Sequence, residues 1–313
     1  MMPFAIFFLF ACSGGTGGKV ADQPADTTSK KPIGAISSYY LPYDLKNPSQ
    51  KFKMPDALQE ISGIDVLQKS KLVCVQDEKG VIYEYDLKKE EVRHSIEFAK
   101  KGDYEGVANV NDTIYVLESN GNIFRVIHLN TDSQKTKEFN TSLDKDNDTE
   151  GLCYDKKNRR LLIACKKKAG SDMKNVRAIY SFNLSTHEVD EKPAYVISLD
   201  AIKSFVSKEN PAKFIGQELK DLADPKKGDV SFQPSELAIH PVTGDIYVIA
   251  TVGKLLLVMN SDGKIVSINE LDPGIYKQPE GITFMEDGTM FISDEGRDGH
   301  GNILKFNYQP NEK

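Results

Sequence analysis

The chain has 313 residues, 39% of them hydrophobic and 27% charged, a globular rather than a disordered or collagen-like composition. With 40 Lys and Arg against 46 Asp and Glu, the formal net charge is −6, which gives no support for nucleic acid as a partner. No apolar run reaches the roughly 18 residues that a membrane-spanning helix needs, and 23 Gly, 15 Phe and 13 Tyr without any Trp suit an all-β protein of many turns.

The chain opens on an apolar stretch, Met1 to Ala11, that ends in small residues before Cys12, as a secretory signal does. Leu9-Phe10-Ala11-Cys12 resembles a bacterial lipobox, in which the signal is cut before the Cys and the thiol is acylated. No Lys or Arg precedes Cys12, so the positive n-region is missing; a buried hydrophobic strand is the alternative. The Gly-rich run Ser13 to Gly18 and the polar stretch to about Lys31 read as a flexible tether. The expected organisation is a signal peptide over residues 1–11, a lipidated tether over 12–34 and one domain over 35–309. Such a monomer hangs from a membrane in the bacterial cell envelope, acylated at Cys12. The remaining cysteines, Cys74, Cys153 and Cys165, sit in strand-like apolar runs and read as small buried residues rather than a disulfide framework.

One unit then recurs five times. Ser62-Gly63-Ile64, Glu105-Gly106-Val107, Glu150-Gly151-Leu152, Ser235-Glu236-Leu237 and Glu280-Gly281-Ile282 are spaced 43, 45, 85 and 45 residues apart. Each motif opens a short strand, followed by a polar turn and further strands. In the second unit these fall at Val107–Val110, Thr113–Leu117, Asn122–Leu129 and Lys135–Phe139. Asp262-Gly263 and Asp287-Gly288 are hairpin turns, because Gly takes φ > 0 cheaply. Four short antiparallel strands per roughly 45 residues predict a propeller blade. The expected fold is an all-β, five-bladed β-propeller. The fifth unit ends after three strands, so a strand from Ile36 to Met54 closes the last blade and removes the open edge. A β-sandwich of unrelated strands is the alternative. The doubled interval holds Asp200 to Val230, where Ile202, Phe205 and Val206 have helical spacing. It predicts a short helical insertion at the outer edge of blade 3, with a degenerate sixth blade as the alternative.

Leu58-Gln59-Glu60-Ile61-Ser62-Gly63, Tyr104-Glu105-Gly106-Val107, Asp148-Thr149-Glu150-Gly151-Leu152 and Gln278-Pro279-Glu280-Gly281-Ile282 resemble the SdiA-regulated family of bacterial envelope propellers, distant relatives of NHL-repeat proteins. The resemblance covers about Ile36 to Tyr308. It implies a five-bladed propeller with a calcium site. The chain departs from the pattern at Ser235-Glu236, where Glu stands in place of Gly, and in the long third-unit insertion.

Each motif starts an innermost strand and the next strand runs back, so its end lies on the same face. This brings Glu105 near Glu118, and Glu280 near Asp294 and Glu295; Asp77 and Glu78 hold the comparable place in the first unit, and Lys166-Lys167-Lys168 in the third. Glu105, Glu150 and Glu280 are expected to converge at the axis. Three carboxylates there repel, so either some protonate or a cation sits among them. Calcium, with its hard oxygen shell, suits such a site, with Glu118, Asp294 and Asp148 as further candidate ligands. The alternative makes the motif structural: its Glu accepts bonds from a neighbouring blade's N–H groups while its Gly permits close entry.

Asp144, Asp146, Asp148 and Glu150 alternate like the start of an EF-hand loop, but Thr149 stands where that loop needs Gly, so a solvated acidic loop is expected. Asp294-Glu295-Gly296-Arg297-Asp298-Gly299 reads as a mobile loop at the mouth, with a cradle for a cation as the alternative. Lys166-Lys167-Lys168 is a solvated turn, an anion-binding element, or a counter-charge for Glu150 that rivals calcium. Of the five histidines only His240 and His300 fall near blade ends, and neither a Gly-x-Ser-x-Gly elbow nor a Walker loop is present. The functional expectation is a calcium-binding, envelope-anchored module for an unidentified ligand or protein partner. The alternative is a calcium-dependent hydrolase of a lactone or phosphoester.

Overall fold

The computed structural model describes residues 39–171, 173–208, 232–297 and 299–311. The expected signal segment, Cys12 and the tether lie outside the described residues, as does Asp298.

Among the described residues, twenty strands form five four-stranded antiparallel sheets. The first strand, β1 (Gln50–Lys53), belongs to the last blade. Blade 1 is β2 (Ile61–Gln68), β3 (Lys71–Gln76), β4 (Lys79–Asp86) and β5 (Glu91–Glu97). Blade 2 is β6 (Tyr104–Val110), β7 (Thr113–Glu118), β8 (Ile123–Ile127) and β9 (Lys135–Phe139). Blade 3 is β10 (Thr149–Asp155), β11 (Arg160–Cys165), β12 (Val176–Asn183) and β13 (Tyr195–Ser198). Blade 4 is β14 (Glu236–Ile239), β15 (Ile246–Ala250), β16 (Leu255–Met259) and β17 (Ile265–Glu270). Blade 5 is β18 (Pro279–Phe284), β19 (Met290–Asp294) and β20 (Asn302–Phe306), completed by β1. Innermost strands touch in ring order: β2 meets β6, β6 meets β10, β10 meets β14, β14 meets β18 and β18 meets β2.

This is the five-bladed propeller that the repeat predicts. The ring closes as expected, with Gln50 to Lys53 registered antiparallel against Lys305 to Asn302. The hairpin glycines Gly263 and Gly288 have φ of 79° and 86°, the left-handed region in which Gly carries no Cβ penalty.

Alternation along each strand divides the core into five interfaces, one per blade pair. Val248 and Ile246 of β15 face blade 3, where they meet Leu162 and Ile179; Tyr247 and Ile249 of the same strand face blade 5, where they meet Ile282 and Ile292. The doubled motif interval contains a helix, α1 (Leu199–Lys208), which packs on the outer strands β13 and β17 through the buried Ile202 and Val206. Cys74 and Cys165 are buried free thiols and Cys153 is half-buried and free, so the cysteines serve as packing residues.

Candidate functional site at the axial mouth

The motif glutamates owe their position to a break in strand pairing. Tyr104 pairs with Glu118 and Gly106 with Leu117, which leaves Glu105 as an extra residue; the same skip occurs at Thr149/Gly151 and at Pro279/Gly281. An unpaired bulge residue re-aims its side chain out of the sheet. Glu105, Glu150 and Glu280 are thereby turned toward the axis at one end of the ring.

The motif glycines mark where adjacent inner strands nearly touch. A Cβ on Gly63 would lie 2.6 Å from Glu105 O, one on Gly106 2.6 Å from Leu152 Cβ, and one on Gly281 2.7 Å from Ser62 O. In blade 4 the position is Glu236, whose carboxylate fills the space left by Gly151: Oε1 accepts from Leu152 N at 2.6 Å and from Leu237 N at 3.0 Å. This joint from blade 3 to blade 4 realises the structural alternative raised for the motif glutamates, at the one motif that lacks its Gly. Ser62 Oγ donates to Glu105 O at 2.9 Å and lies 3.0 Å from Glu105 Oε2, Ser235 Oγ donates to Pro279 O, and Ser293 Oγ donates to Ser62 O. The motifs thus lace the ring together around the mouth.

The three glutamates come within electrostatic reach of one another. Burial raises the affinity of Glu105 for its proton well above the ordinary range, and the charges of Glu150, Asp103 and Glu280 raise it further. Glu280 is pushed up to about 8 by burial and by Glu150. Glu150 is also raised by burial, against which Lys166 pulls it down. Glu150 is 4% exposed, while Glu105 and Glu280 keep some contact with water. Lys166 Nζ stands 2.7 Å from Glu150 Oε1. The expected rival counter-charge is therefore in place. Its two neighbours follow suit in register: Lys167 Nζ is 3.0 Å from Asp148 Oδ2 and Lys168 Nζ is 2.8 Å from Asp146 Oδ2. Backbone bonds from Lys166 N to Asp148 O, Lys167 N to Asn147 O and Lys168 N to Asp146 O set this ladder. The acidic loop and the lysine run are one neutralised pair of segments.

Of the remaining candidate ligands, Glu118 and Asp148 have partners of their own, and Asp294 is engaged through one oxygen, its buried Oδ2 having no hydrogen-bond partner among the described residues. Glu118 accepts from the side-chain amide of Asn120 at 2.7 Å. Asp294 is 1% exposed and its Oδ1 accepts from Gln278 N at 2.7 Å, anchoring the strand entry. Asp148 holds Lys167. Glu295 feels the charges of Asp77 and Glu60 and itself acts on Glu280, and Asp77 is pushed up to about 6 by burial and by Glu60, Asp103 and Glu78, so the rim between blades 5, 1 and 2 is acidic too. Sequence reasoning placed Asp77, Glu78 and Glu295 near the mouth but missed Glu60 and Asp103, which belong to no repeated motif. It also missed Asp65, which binds Asn109 N, Val66 N and Thr283 Oγ1 and so ties three blades.

His240 lies at the end of β14 away from the mouth, fully buried among Tyr43, Tyr247, Phe284 and Tyr308. Its Nδ1 accepts from Val242 N and Thr243 N, so the proton sits on Nε2, 2.7 Å from Tyr43 Oη. It is a packing residue, neutral because burial pulls it down to about 4.

The mouth offers calcium the right kind of donor. Its hard carboxylate oxygens come from three blades, and Glu236 Oε2 is buried beside Gly151 without a hydrogen-bond partner among the described residues. No three carboxylate, histidine or cysteine side chains among the described residues already stand as a metal-holding group. Lys166 takes one of the three axial carboxylates.

A family model described as SdiA-regulated matches residues 49–297. No curated protein matches the chain. Among solved structures, a glutaminyl cyclase from Myxococcus xanthus is 12% identical with a TM-score of 0.52, covering 84% of this chain and 96% of that one. A gluconolactonase from Xanthomonas campestris is 12% identical with a TM-score of 0.49, covering 79% of this chain and 72% of that one. At such identities the likeness concerns the fold alone.

Proposed function

The chain belongs to the SdiA-regulated family, and from that premise we propose that it is an envelope-anchored propeller whose axial mouth binds calcium and so serves as a binding module for a ligand or protein partner. The observation that supports this reading is the crowding of carboxyl groups: Glu105, Glu150 and Glu280 act on one another's charge, the Lys166 ammonium answers Glu150, and Glu105 and Glu280 hold their protons unless a cation takes the protons' place. A divalent cation supplies that positive charge, and the hard oxygens are of the type calcium takes. Glu105, Glu150 and Glu280 would hold the ion, which would cross-link blades 2, 3 and 5 and offer a positive centre to an acidic group on the partner. Ser62 orients Glu105 for this role.

Calorimetry on metal-stripped protein tests the reading, with a Glu105→Gln/Glu280→Gln variant beside the parent. Heat of binding in the parent and its loss in the variant are expected. No heat and no calcium-dependent rise in Tm of the parent would remove the ion. Turnover of a lactone or phosphoester panel by the calcium-loaded protein would move the reading to a hydrolase.

A further inference from the structure

The position of Lys166 carries an inference about how the mouth is controlled, and it rests on the calcium reading above. Lys166 lies one residue past Cys165, the register partner of Thr149, so its side chain enters beside the bulge at Glu150. Its ammonium is 2.7 Å from Glu150 Oε1, and its side chain is 31% exposed, open enough to swing away. The neighbouring lysines are held by carboxylates of the adjoining loop, Asp148 and Asp146, and not by the axial ring. Beside Glu150-Gly151 the Glu236 carboxyl is 1% exposed and keeps one oxygen without a partner among the described residues. Burial holds that carboxyl strongly toward its protonated form.

We propose that Lys166 is a built-in counter-ion that closes the mouth and must leave Glu150 before a divalent cation can bind. Lys166 then sets the affinity and the selectivity of the site. A monovalent ion offers no gain over the ammonium already present, whereas a divalent ion brings the second charge that the remaining carboxylates attract. Displacement exposes the ammonium at the rim, where it faces Asp148, a residue already paired with Lys167. The mouth thus exchanges an internal cation for an external one. Removing the lysine leaves Glu150 buried without a counter-charge, and the empty site is strained until calcium arrives.

The experiment is calcium calorimetry on metal-stripped full-length parent, Lys166→Met and Lys167→Met, with thermal melts of all three. Methionine keeps an unbranched apolar side chain one heavy atom shorter than that of Lys166 and removes the charged, hydrogen-bonding ammonium. Lys167→Met makes the same change in net charge outside the ring. The expected result is at least tenfold tighter calcium binding by Lys166→Met than by the parent, with a larger calcium-induced rise in Tm and a lower Tm without calcium. Lys167→Met is expected to stay within about twofold of the parent, an exposed pair being worth little. Equal or weaker binding by Lys166→Met overturns the inference and leaves the calcium reading standing. Equal tightening by both variants also overturns it, since net charge then suffices. No binding by any of the three overturns both. In parent protein carrying 13C-methylated lysines, the Lys166 resonance is expected to shift when calcium is added, and an unmoved resonance in protein that binds calcium counts against displacement.

Discussion

Glu280 takes its high proton affinity from burial and from Glu150, which gives the mouth a definite pH signature. Its carboxyl is raised to about 8 in the folded chain against an ordinary value of 4.5. The folded state therefore holds the proton more tightly, and the stability this group contributes is full below 4.5 and lost as pH rises through 8. Glu280→Gln is expected to raise Tm by several degrees at pH 8 and hardly at all at pH 5, a gain of about 1–2 kcal/mol once water at the mouth is allowed for. His240 works in the opposite direction. Its folded value of about 4 lies below the unfolded 6.5, so its stabilisation is full above 6.5 and disappears as pH falls toward 4. Urea unfolding of His240→Gln is expected to show less loss of stability over that interval than the parent, the difference reaching at most about 3 kcal/mol. The three axial glutamates were legible because Glu-Gly opens three of the five repeated units. Glu236 was read as a departure, and its role shows only when Gly151 and Leu152 of the next blade stand against it.

The working element is the joint between neighbouring inner strands, where a bulge and a Gly coincide. Gly106 has an ordinary backbone conformation, so a methyl there fails for a steric reason only: it would sit 2.6 Å from Leu152 Cβ and 2.8 Å from Leu152 N. Backbone cannot swing aside as a flexible side chain does, and Gly106→Ala is expected to cost about 1–3 kcal/mol by chemical unfolding. A loss under half a kcal/mol would show that the blades slide apart freely. Strand existence and turn position were readable from alternation and from Asp-Gly pairs, because both are local properties. The bulges were not, because an extra residue in one strand is defined only against its partner. That single skip decides that Glu105 points to the axis while Glu118, opposite Tyr104, turns to Asn120.

The ring as a whole depends on β1, which pairs the start of the domain with its end. Without residues 1–53 the edge of β20 is left unpaired and Phe52 leaves the interface between blades 5 and 1. Such a truncation is expected to melt lower and to self-associate in sedimentation, whereas removal of residues 1–38 leaves every described strand in place and is expected to melt like the parent. The helix α1 sits at the outer strands β13 and β17, remote from the inner-strand motifs. The described helical part of the long interval between the third and fourth motifs therefore lies against the outer strands, and the described sheets include no sixth blade.

Repeat spacing, strand alternation and the shortage of a strand in the last unit determined the five-bladed ring and its closure, because each is written in local pattern and in counting. The convergence of Glu105, Glu150 and Glu280 followed from the same symmetry. What only the tertiary structure decided is how that charge is answered. Lys166 reaches Glu150 while its two neighbours do not reach the axis, Glu236 locks into the backbone of blade 3, and Asp294 and Glu118 turn away. Apart from the contact of Glu118 with Asn120, those outcomes depend on distances between residues 16 to 84 positions apart in the chain, and a Coulomb energy is set by separation in space, which periodicity along a sequence does not encode.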